Sequence, residues 1–172
     1  MKIPAMLSRL WQMADNGSAD VTALESIGLI LERPPSNGGY PDTPVNSVAF
    51  AYTGGDGVHY SWLVLPDRPV DLSPIVMTVP MGDTPNVIVG ESFHDFLCLG
   101  SRSGYFSLEQ ISYQPEEAIN ALASQDFDPE IGDTERDFLQ RLAKEFNLAP
   151  WSAPNQRLTV LREKYLPLLD IV

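Results

Sequence analysis

Four short apolar runs, joined by short connections, restrict the fold of this chain more than any other feature. The runs extend from Ser47 to Tyr52, Val58 to Leu65, Ile75 to Val79 and Val87 to Val89. Parallel strands require a crossover of a dozen or more residues, and the segments between these runs are shorter than that. The pattern therefore predicts an antiparallel meander.

Alternation within the runs predicts which side chains share a face of the sheet, because successive strand residues point to opposite sides. In the first run the large residues fall on one face, and they are Val48, Phe50 and Tyr52. In the second run Trp62 falls on one face and His59 on the other, with Ser61 beside His59.

Helical patterns flank the strands. Apolar residues recur at helical spacing from Ile3 to Leu10, and Thr22 with Glu25 has the spacing of a capping box that starts a second helix through about Leu31. After the strands, Ser92 is the expected cap of a short helix that Gly100 ends. The segment 105–111 is compatible with either a helix or a strand.

Additional helices are expected from about residue 115. Pro115 suits a first helical turn, a fourth amphipathic helix runs through Phe138 and Phe146 with Asp133 or Thr134 as its cap, and a fifth is ended or bent by Pro167. Residues 33–44 hold four prolines and two glycines and predict a loop. We therefore expect a single α+β domain over residues 1–172, with an antiparallel sheet of about four strands and helices mainly on one face.

Charge limits the partners. The 11 Lys and Arg and 23 Asp and Glu give a net charge of −12, which disfavours nucleic acid and anionic membrane surfaces and favours a basic protein partner. Cys98 is the only cysteine, so no disulfide forms within the chain. No window approaches the roughly 20 apolar residues of a membrane span. These features predict a cytoplasmic protein.

The glycine-rich stretch 53–57 invites comparison with a phosphate-binding loop. It lacks the Lys and Ser/Thr of that motif and leads into a predicted strand instead of a helix. Asp56-Gly57 between two alternating runs is a strong hairpin signal, because glycine adopts positive φ without strain. The sequence predicts a tight turn here.

Two histidines are candidates for catalysis or metal binding. His59 shares a strand face with Ser61, but the sequence shows no acidic residue that would complete a catalytic triad with them. His94 shares a helical face with Cys98, and both could bind a metal. A small hydrolase built on His59, His94 and nearby acids is one alternative function, and it requires the two histidines to converge in one pocket. The other interpretation places His59 in a structural role and Cys98 in the core.

The acidic segment from Asp126 to Asp137 resembles part of a calcium-binding EF-hand loop. Acids occupy its first, third and fifth positions, but Ile131 stands where the loop needs glycine, and Gly132 comes one place late. A solvated acidic loop between helices is the favoured interpretation, and an acidic cation-binding domain is the alternative.

Three segments together resemble the SUKH superfamily, which includes yeast regulators of cell-wall synthesis and many bacterial immunity proteins. They are Pro44 followed by VNSVAFAYTGGDG, then VHYSWLVL, then NVIVGESFHDFLCLG, about the middle third of the chain. The resemblance implies a non-enzymatic protein-binding module without cofactor, metal or catalytic residues. In bacterial members this role is often to neutralise a toxin domain, here one with a basic surface. The matching turn and strand provide the expected partner-binding residues: Gly54, Gly55, Asp56, His59 and Trp62.

Overall fold

A computed structural model of the chain describes residues 3–171 and has an α+β fold, as the sequence predicts. The sheet is antiparallel and has five strands in sequence order, one more than the approximately four expected. The strands are β1 Ile30–Ser36, β2 Ser47–Tyr52, β3 His59–Leu63, β4 Ile75–Thr78 and β5 Asn86–Gly90. The α-helices are α1 Ala5–Asp15, α2 Ser18–Ser26, α3 Phe93–Leu99, α4 Gln110–Tyr113, α5 Pro115–Leu122, α6 Asp133–Phe146 and α7 Pro154–Tyr165.

The additional strand, β1, lies where a helix end and a loop were expected. Helix α2 ends at Ser26, and Thr22 lies inside it with its hydroxyl donating to the carbonyl of Ser18, so the predicted capping box is wrong. Pro34 and Pro35 are tolerated in β1 because it is an edge strand, where a missing N–H leaves no ladder bond broken. The Pro-rich loop therefore begins after Ser36 and not at residue 33.

A β-bulge at Phe50 changes the face assignment within β2. Ala49 pairs with Ser61, whereas Ala51 pairs with Tyr60 and Tyr52 with His59. The extra residue shifts the alternation by one position, so Tyr52 lies on the face of His59 instead of that of Phe50. The prediction that all three large residues of this strand share a face is wrong for this reason.

One face of the sheet, which we call the aromatic face, packs against α3. Phe50 lies 4.4 Å from Trp62 and 5.0 Å from Phe93 between ring centroids, and Tyr60 lies 4.7 Å from Phe96. All five side chains are at most 2% exposed. Helix α3 begins as expected, with the hydroxyl of Ser92 accepting the N–H of Asp95 at 3.2 Å, and it ends at Gly100.

The opposite face, which we call the clasp face, is covered by residues 37–46, the clasp. The clasp contacts His59 through Thr43 and contacts β5 through a bond from Asn86 Nδ2 to the carbonyl of Asp42 at 2.9 Å. Its far end is fixed to the C-terminal segment, because Val45 N–H donates to the carbonyl of Asp170 at 2.7 Å. The two faces therefore differ in what lies on them: a helix on one and, over His59 and Asn86, an irregular segment on the other.

The C-terminal helices complete the core near β5. Helix α6 buries Phe138 and Phe146, and α7 is joined to the end of β5 by an ion pair of 2.6 Å between Lys164 and Glu91. Helix α6 begins after Gly132 without a side-chain cap, so the expected capping by Asp133 or Thr134 is wrong.

Two other expectations for this part of the chain are resolved by the fold. Segment 105–111 is helical rather than strand, with a 3₁₀ helix Phe106–Glu109 leading into α4. Helix α7 ends at Tyr165, two residues before Pro167. No helix within residues 3–171 has the length and apolar character needed to cross a bilayer.

Candidate protein-binding surface

The glycine-rich stretch forms the tight turn between β2 and β3 that the sequence predicts. The N–H of Val58 donates to the carbonyl of Gly55 at 2.9 Å, which closes the turn. The two central residues, Asp56 and Gly57, have φ of 42° and 76°, as a type I′ hairpin turn requires.

The glycines of this turn also allow neighbouring side chains to lie directly against it. A Cβ on Gly54 would stand 2.9 Å from Cδ1 of Ile30, and one on Gly57 would collide with the ring of Tyr40. A Cβ on Gly55 would reach 3.4 Å from the ring of Phe106. The missing side chains thus create the space that Ile30, Tyr40 and Phe106 occupy.

These three large side chains are exposed although they pack against the turn. Ile30 is 36% exposed, Tyr40 40% and Phe106 49%. We call this region the hairpin surface. Its members are Ile30, Tyr40, Gly54, Gly55, Asp56, Phe106 and Glu109.

Two carboxylates give the hairpin surface its charge. Burial, and secondly the nearby carboxylate of Asp56, raise the pKa of Glu109 above its ordinary value. Neither group forms an ion pair with Lys or Arg in the described part of the chain. Two acids that repel each other beside an exposed aromatic ring suit a cationic group from outside the chain.

His59, expected on this surface, is completely buried beneath the clasp. Its Nδ1 lies 2.8 Å from the carbonyl oxygen of Gly57, and its Nε2 lies 3.1 Å from Oγ1 of Thr43. Burial lowers the pKa of His59, and the hydrogen bond to Gly57 and the charge of Glu32 oppose that effect only partly. A partner cannot contact this ring while the clasp is closed.

Trp62 lies in the core of the aromatic face and is 0% exposed. It packs against Phe50 and Phe93, which explains its burial. Of the five residues expected to contact a partner, Gly54, Gly55 and Asp56 therefore have accessible surface, and His59 and Trp62 do not.

The two histidines do not converge. His59 lies on the clasp face, whereas His94 lies on α3, which packs on the opposite side of the sheet, and its Nε2 is 3.2 Å from the carbonyl of Phe146. The geometry that the hydrolase alternative requires is therefore not formed by these residues. Ser61, beside His59, is also fully buried, and its Oγ makes no hydrogen bond within residues 3–171.

His94 and Cys98 do meet on one face of α3, with Nδ1 3.7 Å from Sγ. Burial raises the pKa of the Cys98 thiol, which keeps it protonated at neutral pH. Within residues 3–171 no group of three or more His, Cys, Asp or Glu side chains has the geometry to hold a metal ion.

The acidic segment 126–137 is organised by contacts other than a cation. Asp128 Oδ1 accepts the N–H of Glu130 at 2.9 Å, and the N–H of Asp128 donates to the carbonyl of Arg102 at 3.1 Å. The guanidinium of Arg102 lies 4.5 Å from the centre of the Phe127 ring, and that of Arg136 lies 5.7 Å from it. Residues 126–132 are part of the connection between α5 and α6, as the sequence predicts, whereas residues 133–137 form the first turns of α6.

Sequence reasoning missed four members of the hairpin surface: Ile30, Tyr40, Phe106 and Glu109. They come from three segments, because Phe106 and Glu109 belong to one 3₁₀ helix, and an apolar residue in an apolar run ordinarily predicts burial. The crowding of the turn glycines identifies Ile30, Tyr40 and Phe106, and proximity to Asp56 identifies Glu109, only once the fold is known.

Comparisons of the chain with protein-family models, with curated proteins and with solved structures each find no match.

Proposed function

We propose that this chain is a non-enzymatic protein-binding module that holds a basic partner on the hairpin surface. One observation carries the proposal: three exposed large side chains surround a rigid turn and stand beside two carboxylates without cationic partners. Protein interfaces are built from such aromatic anchors with charged groups around them.

The shape of the surface supports a preformed interface. The type I′ turn fixes the backbone, and Ile30 and Phe106 already rest on its glycines, so binding orders few additional side chains. Less conformational entropy is then lost on association.

The charge of the whole chain supports a basic partner. Of the 23 carboxylates, six form ion pairs with partners within residues 3–171, and the chain has a net charge of −12 that attracts a cationic surface. A field of one sign accelerates encounter with a partner of the opposite sign and weakens with salt. The resemblance to the SUKH superfamily suggests a more specific form of this role, an immunity protein that neutralises a basic toxin domain.

The proposal is tested by capturing proteins from source-cell lysate with the wild-type chain and with matched variants. Phe106→Ala removes the largest anchor and is compared with Leu72→Ala, an exposed apolar residue between β3 and β4 at the other end of β3. Asp56→Asn is compared with Asp67→Asn, which also has positive φ.

We expect one basic protein that binds the wild type and both control variants and is released by salt. Loss of a central aromatic anchor costs about 2 kcal/mol, or roughly 30-fold in affinity, so Phe106→Ala should abolish capture. Asp56→Asn should weaken it. A partner that both hairpin variants retain, or that the controls lose equally, contradicts the assignment to this surface.

A further inference from the structure

We infer that the clasp is a pH-operated latch for the hairpin surface. Protonation of His59 releases residues 37–44 from the sheet, and Tyr40 leaves the hairpin surface with them. The release of the clasp is inferred from the contacts of His59 alone. Its consequence, loss of the partner in mildly acidic solution, rests on the function proposed above.

Both ring nitrogens of His59 are committed in the closed state. The carbonyl of Gly57 can only accept, so Nδ1 carries the proton and donates to it at 2.8 Å. Nε2 is then the acceptor for the hydroxyl of Thr43 at 3.1 Å. Thr43 Oγ1 in turn accepts the N–H of Tyr40 at 3.3 Å, so the neutral ring completes a chain of hydrogen bonds into the clasp.

A second proton breaks this arrangement at one atom. It would occupy Nε2 and point at Thr43, whose hydroxyl must then turn away and whose oxygen must accept from two donors. The hydroxyl hydrogen is left without its acceptor in a site with no exposed surface at His59. Opening the clasp transfers the charged ring to water, which solvates it.

The groups that face His59 do not compensate the charge. Tyr40 of the clasp and Tyr52 of β2 lie with ring centroids 5.8 and 5.7 Å from it, and Thr78 is its neighbour on β4. None of the three is a carboxylate. Glu32 of β1 is the one carboxylate whose charge acts on the ring, and burial outweighs it.

The ring cannot relax without moving the clasp. The backbone of Gly38 lies so close to His59 that a Cβ there would collide with Nε2. The bonds of Val45 and Asn46 to residues 168–170 fix the far end of the clasp, so residues 37–44 are the part able to open.

Tyr40 connects the latch to the hairpin surface. Its ring stacks on His59 at an interplanar angle of 22° and lies against Gly57 of the turn. Opening therefore removes one of the three large side chains of the hairpin surface and uncovers the turn beside Asp56.

The test is hydrogen exchange followed by NMR from about pH 8 to about pH 5, the range in which histidine changes charge. The reporters are the backbone amide of Tyr40 and the side-chain amide of Asn86, both bonded through the clasp, and the control is the amide of Phe96 in α3. Exchange is corrected for the intrinsic effect of pH.

We expect the protection of both reporters to fall below about pH 6.5, by up to about tenfold per pH unit, because one proton is bound on opening. Phe96 should stay better protected than both reporters at every pH, because its exchange requires unfolding of α3 and not only opening of the clasp. His59→Gln should remove the pH dependence of the reporters, whereas His94→Gln, the same change at the other histidine, should preserve it. Equal protection of the reporters and Phe96, or a pH dependence that survives in His59→Gln, overturns the latch.

If His59→Gln does not fold, Thr43→Val provides a second test of the latch. Thr43→Val retains His59 but removes the hydroxyl that bonds its neutral form, so the protection of the Asn86 side-chain amide should be lower at every pH and should still fall below about pH 6.5. Unchanged protection of Asn86 in this variant contradicts the latch.

Partner capture at about pH 7.5 and about pH 5.5 separates this inference from the proposed function. A partner captured from wild type at the higher pH and lost at the lower, but kept by His59→Gln at both, supports the regulated surface. A partner lost equally from wild type and His59→Gln at the lower pH contradicts the regulation and leaves the binding function standing. Clasp opening with no partner at either pH contradicts the binding function alone.

Discussion

The two faces of the sheet are covered through different kinds of interaction. The aromatic face is covered by α3 through Phe93 and Phe96, which pack on Tyr60 and Trp62 without titrating groups between them. The clasp face is held by a few hydrogen bonds around one histidine, from Thr43 to His59 and from Asn86 to the clasp backbone.

The difference determines which face stabilises the fold and which face responds to pH. Apolar burial is proportional to area, is non-directional and does not depend on pH, so the contacts on the aromatic face stabilise the fold at any pH. The hydrogen bonds of the clasp contribute little net free energy to folding, and they break when one partner changes its charge. The aromatic face is thus expected to stay covered at any pH, whereas the cover of the clasp face depends on the charge of His59.

The largest effect is expected on the aromatic face. Phe96→Ala removes a fully buried ring that touches Tyr60 and Tyr105, and it should lower the free energy of unfolding by about 3–5 kcal/mol. Urea unfolding measures it. The matched control is Phe106→Ala, the same change at a half-exposed site, which should cost well under about 1 kcal/mol. Equal losses at the two sites would contradict the comparison.

A smaller loss is expected on the clasp face. Thr43→Val should lower the free energy of unfolding by about 1–3 kcal/mol, because Nε2 of His59 and the N–H of Tyr40 both lose a buried partner. Thr159→Val in α7, where the hydroxyl bonds an exposed helix carbonyl, is the control and should change stability little. A loss of unfolding free energy as large as that of Phe96→Ala would contradict the view that the clasp is held more weakly than α3.

The pH dependence of stability sharpens the same contrast. Burial depresses the pKa of His59 below 6.5, so the unfolded chain binds a proton that the folded chain resists, and stability falls as pH falls below about 6.5. Between about pH 7 and 5.5 we expect a loss of up to about 1 kcal/mol, the limit for a ring that stays neutral in the folded chain. Carboxylates also titrate in acid, so the quantity to measure is the difference from His59→Gln. A difference that stays constant with pH would refute the assignment.

The smallest effect is expected at the hairpin surface, with the opposite sign. Asp56→Asn removes repulsion from Glu109 and replaces a residue at φ 42° with one that tolerates positive φ better. It should raise stability at neutral pH by a few tenths of a kcal/mol, read as a small rise in Tm. Stabilisation together with weaker partner capture would show that the acid is kept for binding. Destabilisation would contradict this interpretation.

Much of the aromatic face could be predicted from the sequence, because its signals are local. Ser92 and Gly100 mark the ends of α3, Asp56-Gly57 marks the hairpin, and periodicity places Phe93 inside, although Trp62 was expected to contact a partner and is buried. Each depends on residues a few positions apart.

The clasp face could not be predicted in the same way. The bulge at Phe50 reverses alternation without a sequence signal, and the prolines of β1 conceal an edge strand. Thr43 and His59 meet across 16 positions through an irregular loop, and His59 taken alone looked like a partner-facing residue. Contacts of this kind depend on the completed fold.

The bonds between the clasp and the last residues have a consequence for biosynthesis. Asn46 donates to the carbonyl of Leu168 and accepts from the N–H of Asp170, so the clasp cannot reach its final position until residues 168–170 have left the ribosome. A chain is made from its N-terminus, and the strands emerge first. The clasp face therefore stays uncovered until the chain has been made as far as residues 168–170.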